Sequence, residues 1–123
     1  MLGHLSFGVK DLGRATAFYD RALQPLGLVR VWSTERSAGW GPEGKGDLLA
    51  VFLHSGKARA PGPGFHLAFN APDRKAVDHF HAEALKAGGK DDGAPGIRAK
   101  YSPTYYAAFV VDPDGYRLEA VHQ

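Results

Sequence analysis

Cysteine is missing from all 123 residues. That absence excludes disulfides, thiolate metal sites and cysteine nucleophiles, and it fits a reducing compartment. Long apolar runs are missing too. No stretch approaches the roughly 20 residues that a membrane-spanning helix needs. The opening "MLGHLSFGVK" has no basic segment followed by an apolar run, so no signal peptide is visible. The expectation is a cytoplasmic protein with no membrane partner. No block of like charge occurs: 15 Lys and Arg stand against 13 Asp and Glu, for a formal net charge of +2. Scattered basic residues leave no footprint for nucleic acid.

What remains is an ordinary globular composition, 44% hydrophobic and 23% charged, at a length that suits one domain over residues 1–123. Leu5, Phe7 and Val9 alternate with polar or small residues and predict a strand. Asp11 is a helix cap, and Leu12, Ala15, Phe18, Ala22 and Leu23 form one apolar stripe ended by Pro25 and Gly27. Strands are predicted over 28–34 and 48–54, with glycine-rich turns over 37–46. The segment "SGKARAPGPG" reads as a linker, placed at about 57–64 between a first module of about 1–56 and a second of about 65–123. The second half repeats the pattern: a strand over 66–71, the cap Asp73, and a helix with Val77, Phe80, Ala84 and Leu85 on its apolar stripe. Gly88 and Gly89 stop it. An irregular or weak strand follows over 91–100. Strands over 105–111 and 116–122 then flank the tight turn "DPDG".

The halves share wording as well as pattern. Shifting the chain by 62 aligns His4 with His66, Leu5 with Leu67, Phe7 with Phe69, Asp11 with Asp73, Phe18 with Phe80, Ala22 with Ala84, and Leu23 with Leu85. Most of these are core or cap positions, which duplicated folding instructions explain. The histidines are not, because opening a strand does not call for imidazole. Two histidines at equivalent positions need one acidic partner to make a 2-His-1-carboxylate site for Fe, Mn, Ni, Co or Zn. Glu119 in "YRLEAVH" lies among apolar neighbours, where a carboxylate is destabilising unless paired or bound to metal.

His4 opening "HLSFGVKDLGRATAFYDRAL", His66 opening "HLAFNAP", the helix phrase "FYDRALQPLGL" and "DPDGYRLEAV" together resemble the glyoxalase/bleomycin resistance/extradiol dioxygenase superfamily, the vicinal oxygen chelates. The similarity covers essentially the whole chain. It implies an α+β fold of two βαβββ modules forming a curved, cup-shaped mixed sheet with helices outside. It also implies a divalent metal, Ni, Co, Mn, Fe or Zn, held by His4, His66 and Glu119, with Glu119 also a catalytic candidate. Glyoxalase I members carry a fourth carboxylate ligand on the last strand of the first module. The matching position here is Phe52, with His54 two residues on and facing the same side.

The function this implies is a metal-dependent lyase or isomerase of glyoxalase I type, acting on a small oxygen-chelating substrate. Two alternatives stand beside it: an extradiol-type dioxygenase, which the missing fourth carboxylate favours, and a metal-free ligand-sequestering protein of the bleomycin-resistance type. Trp32, Tyr105, Phe52 and His54 are candidates to line the cup, and Arg98 to contact an anionic substrate group. A surface role is the simpler account of His54. His79, His81 and His122 receive no role. "GWGPEGKG" lacks the residue order of a phosphate loop. The resemblance further implies a homodimer, in which two chains complete each cup.

Overall fold

The capping and periodicity of the sequence translate directly into helices. In the computed structural model, which describes residues 1–123, Leu5–Val9 forms β1 and Leu12–Leu23 forms α1. The Asp11 carboxylate accepts from the Arg14 N–H, pairing a donor that a helix start otherwise leaves free. Asp73 does the same for α2, Arg74–Lys86, through the Ala76 N–H. A 3-10 turn over Gln24–Leu26 follows α1 and ends on Gly27 at φ 82°, a left-handed conformation that favours glycine. The remaining strands are β2 (Val29–Ser33), β3 (Ser37–Gly41), β4 (Leu49–Leu53), β5 (Leu67–Asn70), β6 (Lys90–Ile97), β7 (Tyr106–Val111) and β8 (Arg117–His122).

Each half makes a four-stranded mixed sheet, ordered β1-β4-β3-β2 and β5-β8-β7-β6, and neither sheet closes on itself. The pairs β1/β4 and β5/β8 are parallel and the others antiparallel. This is the βαβββ unit, twice. β1 and β5 are therefore edge strands with free backbone groups. The helices pack on each other, and one core cluster joins Phe18, Trp40 and Leu49 of the first half to Phe80, Val110 and Leu118 of the second. Each sheet turns its other face away from this core.

Two expectations fail for identifiable reasons. The glycine-rich stretch expected to turn over 37–46 instead contains β3, all five residues of which are buried. Its glycines serve close approach. A Cβ on Gly39 would sit 2.3 Å from the Trp32 indole nitrogen, and one on Gly41 would sit 2.1 Å from the Gly46 carbonyl oxygen. Leu85 was expected on the buried stripe of α2, yet it is 38% exposed, while its repeat counterpart Leu23 is fully buried. α1 runs on into the 3-10 turn Gln24–Leu26, whose Leu26 is buried, whereas α2 stops at Lys86 and Gly88 at φ 102° turns the chain. The weak strand expected over 91–100 is β6, irregular at Gly93, where its pairing with β7 shifts register.

The "DPDG" turn of the second half docks on the first. Tyr19 of α1 donates to the buried Asp112 carboxylate at 2.5 Å. Asp114 accepts from the Lys10 N–H and from Arg14, and the Tyr116 hydroxyl donates to the Gly8 carbonyl at 2.7 Å. Burial, and then the charge of Asp112, push the Tyr19 phenol well above its ordinary 10.0. The sign of the linkage follows. Above pH 10 an unfolded chain loses the Tyr19 proton while the folded chain keeps it. Stability therefore falls with rising pH, by up to about 1.4 kcal/mol per pH unit for one proton. Tyr19→Phe should remove that slope and lower stability at neutral pH by about 1 kcal/mol. Urea unfolding of both proteins at pH 8, 10 and 11 measures it. Equal slopes would show that folding does not hold the Tyr19 proton.

Candidate metal centre

Glu119 is central on β8, between β5 and β7, and pairs in register with Ala68 on one side and Phe109 on the other. Both neighbours are apolar. Its side chain is 2% exposed, so the carboxylate must find polar partners or be destabilised. It finds two. The His66 Nε2 lies 3.0 Å from Oε1, and the Tyr105 hydroxyl donates to Oε2 at 2.5 Å. His66 precedes β5 and lies on the face that Glu119 shares, because side chains alternate along each strand. The Tyr105 phenol is pushed up to about 12, first by burial and then by its bond to Glu119, so it remains a donor at neutral pH.

The surroundings are aromatic on one side and charged on the other. His66 lines a pocket of about 320 Å³ with Phe65, Asp92, Tyr101, Phe109 and Arg117. Its ring stands 6.3 Å from Phe109 in an edge-on arrangement. The Arg98 guanidinium lies over the Phe109 ring, 5.3 Å from its centre, and donates to the carbonyls of Gly96 and Ala94. Arg117 donates to Asp92 at 2.8 Å.

His4 lies on the other sheet. It is exposed just before β1 and lines an apolar cleft of about 260 Å³, with Leu5, Leu28 and Leu48 on its own side and Leu67 and Phe69 of β5 opposite. No three His, Asp or Glu side chains of one chain converge closely enough to hold a metal. The chain thus brings together two of the three expected ligands, His66 and Glu119, and keeps the third apart.

Phe52 and His54 share the sheet of His4. Phe52 is 41% exposed and faces Trp32, with ring centres 6.3 Å apart. Trp32 lies flat across Gly39. His54 rests over Gly8, its Cδ2 3.4 Å from where a Cβ there would stand. Register decides which residue of this sheet matches Glu119. Ala68, two residues after His66, pairs with Glu119; Ser6, two residues after His4, pairs with Ala50. Ala50 is thus the equivalent position. Phe52 pairs with Gly8, four residues after His4, or about 13 Å along the strand at ~3.3 Å per residue.

Three residues of this site, Phe109, Asp92 and Arg117, are absent from the candidates that the sequence offers. Alternation in "YYAAFVV" puts Phe109 on the face of Tyr105 and was a usable signal. Nothing in the sequence marks Asp92 as a partner of Arg117. The bond from Tyr105 to Glu119 spans 14 residues and a turn. Of the other histidines, His122 lies 3.0 Å from the Ala71 carbonyl oxygen and His81 contacts Asp91, both away from this face.

Two mixed four-stranded sheets built from one repeated unit invite comparison with known proteins. A search of curated proteins finds no match. Among solved structures, a glyoxalase/bleomycin resistance protein from Albidiferax ferrireducens is 28% identical, with a TM-score of 0.85 over 100% of this chain and 98% of its own. The fosfomycin resistance protein FosX from Listeria monocytogenes shares the fold at 17% identity and a TM-score of 0.71, over 100% of this chain and 93% of its own. A glyoxalase I mutant from Zea mays is 24% identical with a TM-score of 0.75, and this chain covers 45% of it. The sequence profile of the Glyoxalase/Bleomycin resistance protein/Dioxygenase superfamily matches residues 1–120. With the duplicated βαβββ unit and a profile match over nearly its whole length, the chain belongs to that superfamily.

Proposed function

We propose that the protein is a divalent-metal-dependent enzyme of glyoxalase I-like lyase or isomerase type, active as a homodimer on a small oxygen-chelating substrate. The observation that carries this is the buried Glu119 carboxylate paired with His66, a donor set suited to a first-row metal, while its third partner His4 stands on a separate open sheet face. A second chain would complete the set, its His4 meeting His66 and Glu119 of the first. The edge strands β1 and β5, and the exposed apolar Leu2 and Leu48 beside them, offer surface for such an association.

A metal held there would act as a Lewis acid on two substrate oxygens. The chain's own groups set the surroundings. Phe52 and Trp32 present an apolar wall, Tyr105 and His66 flank the carboxylate, and Arg98 sits over Phe109 within reach of an anionic substrate group. One observation favours the dioxygenase alternative: neither Ala50 nor Phe52 supplies a fourth carboxylate, so the set stays at two histidines and one glutamate. Binding of one divalent metal per His66–Glu119 pair tests the proposal against a metal-free, ligand-sequestering protein.

The register supplies a sharper test. Phe52→Glu places a carboxylate on the correct face but about 13 Å along the strand from His4. Because Phe52 is already 41% exposed, the variant should fold. Its Co²⁺ affinity, read by calorimetry, should equal that of the wild type. Tighter binding would mean that this position reaches the metal and that Ala50 is not the counterpart of Glu119.

A further inference from the structure

We infer that Tyr105 is a positioning residue: it holds the Glu119 carboxylate by Oε2, so that Oε1, the oxygen beside His66, is the one presented to a metal. The inference rests on the metal-site proposal above and adds a residue that would touch neither metal nor substrate oxygen.

The geometry is asymmetric. Glu119 has polar contacts on both oxygens, and they differ in kind. Oε1 faces the His66 nitrogen at 3.0 Å, a contact that metal ligation by both groups would replace. Oε2 faces the Tyr105 hydroxyl at 2.5 Å, which lies on the far oxygen and need not move. Once His66 turns to a metal, Tyr105 is the one hydrogen-bond donor of the chain left on a carboxylate 2% exposed. The in-register neighbours, Ala68 and Phe109, offer nothing polar. Without the hydroxyl, a buried oxygen loses its partner and the carboxylate is free to rotate.

The hydroxyl is itself delivered from a fixed place. The Arg98 N–H donates to the Tyr105 carbonyl at 2.8 Å, the Tyr101 N–H closes a turn on the Arg98 carbonyl at 2.9 Å, and the Tyr101 ring packs 5.0 Å from that of Tyr105. Groups that orient a ligand in this way are typically worth about 10–100-fold in metal affinity. The next residue provides a control. Tyr106 also donates to a carboxylate, that of Asp78 at 2.6 Å, but on the helix side of the sheet.

The experiment is Co²⁺ titration of wild type, Tyr105→Phe and Tyr106→Phe by calorimetry, with visible absorption of the bound metal and circular dichroism of each metal-free protein. Tyr105→Phe should weaken Co²⁺ by about 10–100-fold and alter the visible bands, and Tyr106→Phe should do neither. Unchanged affinity and bands in a folded Tyr105→Phe protein would overturn the inference and leave the metal site standing. Failure of the wild type to bind Co²⁺ would overturn both. A measurement on the wild type alone guards against a variant that does not fold. Zn²⁺ should perturb the tyrosine ultraviolet difference spectrum, because the carboxylate that accepts from the Tyr105 hydroxyl would share its negative charge with the metal; a flat spectrum counts against the inference.

Discussion

Adding Ni²⁺, Co²⁺, Mn²⁺, Fe²⁺ or Zn²⁺ to the wild-type protein should raise its melting temperature, and His66→Ala should abolish most of the rise. A metal that binds only the folded state stabilises it by about 2.7 kcal/mol at a hundred times its Kd. For a chain of this size that corresponds to a shift on the order of 10 °C. The ion that gives the largest shift at equal concentration identifies the preferred metal. His66 is the informative position because its side chain is 51% exposed and precedes β5. Removing it takes little from the core, so the metal-free variant should melt near the metal-free wild type. It does take away the nitrogen beside Glu119, which then keeps only Tyr105. A wild type that elutes without metal under mild conditions and shows no shift with any of the five ions would sink the metal-site proposal. An equal shift in wild type and His66→Ala would place the metal elsewhere on the chain.

The sequence makes both helices legible because their information is local. Asp11 and Asp73 cap within three residues, and the apolar stripes repeat within a turn. Glu119 stands out for the same reason: a carboxylate inside an apolar strand is anomalous against its immediate neighbours. What fails is non-local. Glycines of β3 look like turn residues until Trp32, seven residues earlier, is seen to lie on Gly39. Phe52 looks like the counterpart of Glu119 by counting along the strand. Only the parallel pairing of β4 with β1 shows that Ala50 holds that place. The distance between His4 and the His66–Glu119 pair is likewise invisible in the repeat, which fixes equivalence and not orientation. Orientation comes from packing. α1 rests on α2, the "DPDG" turn is bound through Asp112 and Asp114 to Tyr19, Arg14 and Lys10, and no three metal-ligating side chains of one chain converge.

That separation gives a prediction about assembly. Chains carrying His4→Ala and chains carrying Glu119→Ala should each lose metal binding, and a mixture of the two should recover part of it. If each site takes His4 from one chain and His66 with Glu119 from the other, a mixed dimer has two unlike sites. One combines the missing His4 with the missing Glu119. The other draws His4 from the Glu119→Ala chain and the His66–Glu119 pair from the His4→Ala chain, and is intact. Random exchange makes about half of the dimers mixed, so about a quarter of all sites should return, as expected for a twofold-symmetric pair. Co²⁺ retained after gel filtration measures the fraction. Mixing His66→Ala with Glu119→Ala is the control. Both changes lie on the second sheet, so every site in the mixed dimer stays defective and no recovery should occur. Recovery in the control equal to that in the test mixture would point to chain aggregation instead of complementation. No recovery in the test mixture, from chains shown to exchange, would confine each site to one chain. Sedimentation at micromolar concentration checks the premise: a monomer that binds metal fully would rule out the shared site, which needs His4 from one chain and the His66–Glu119 pair from another.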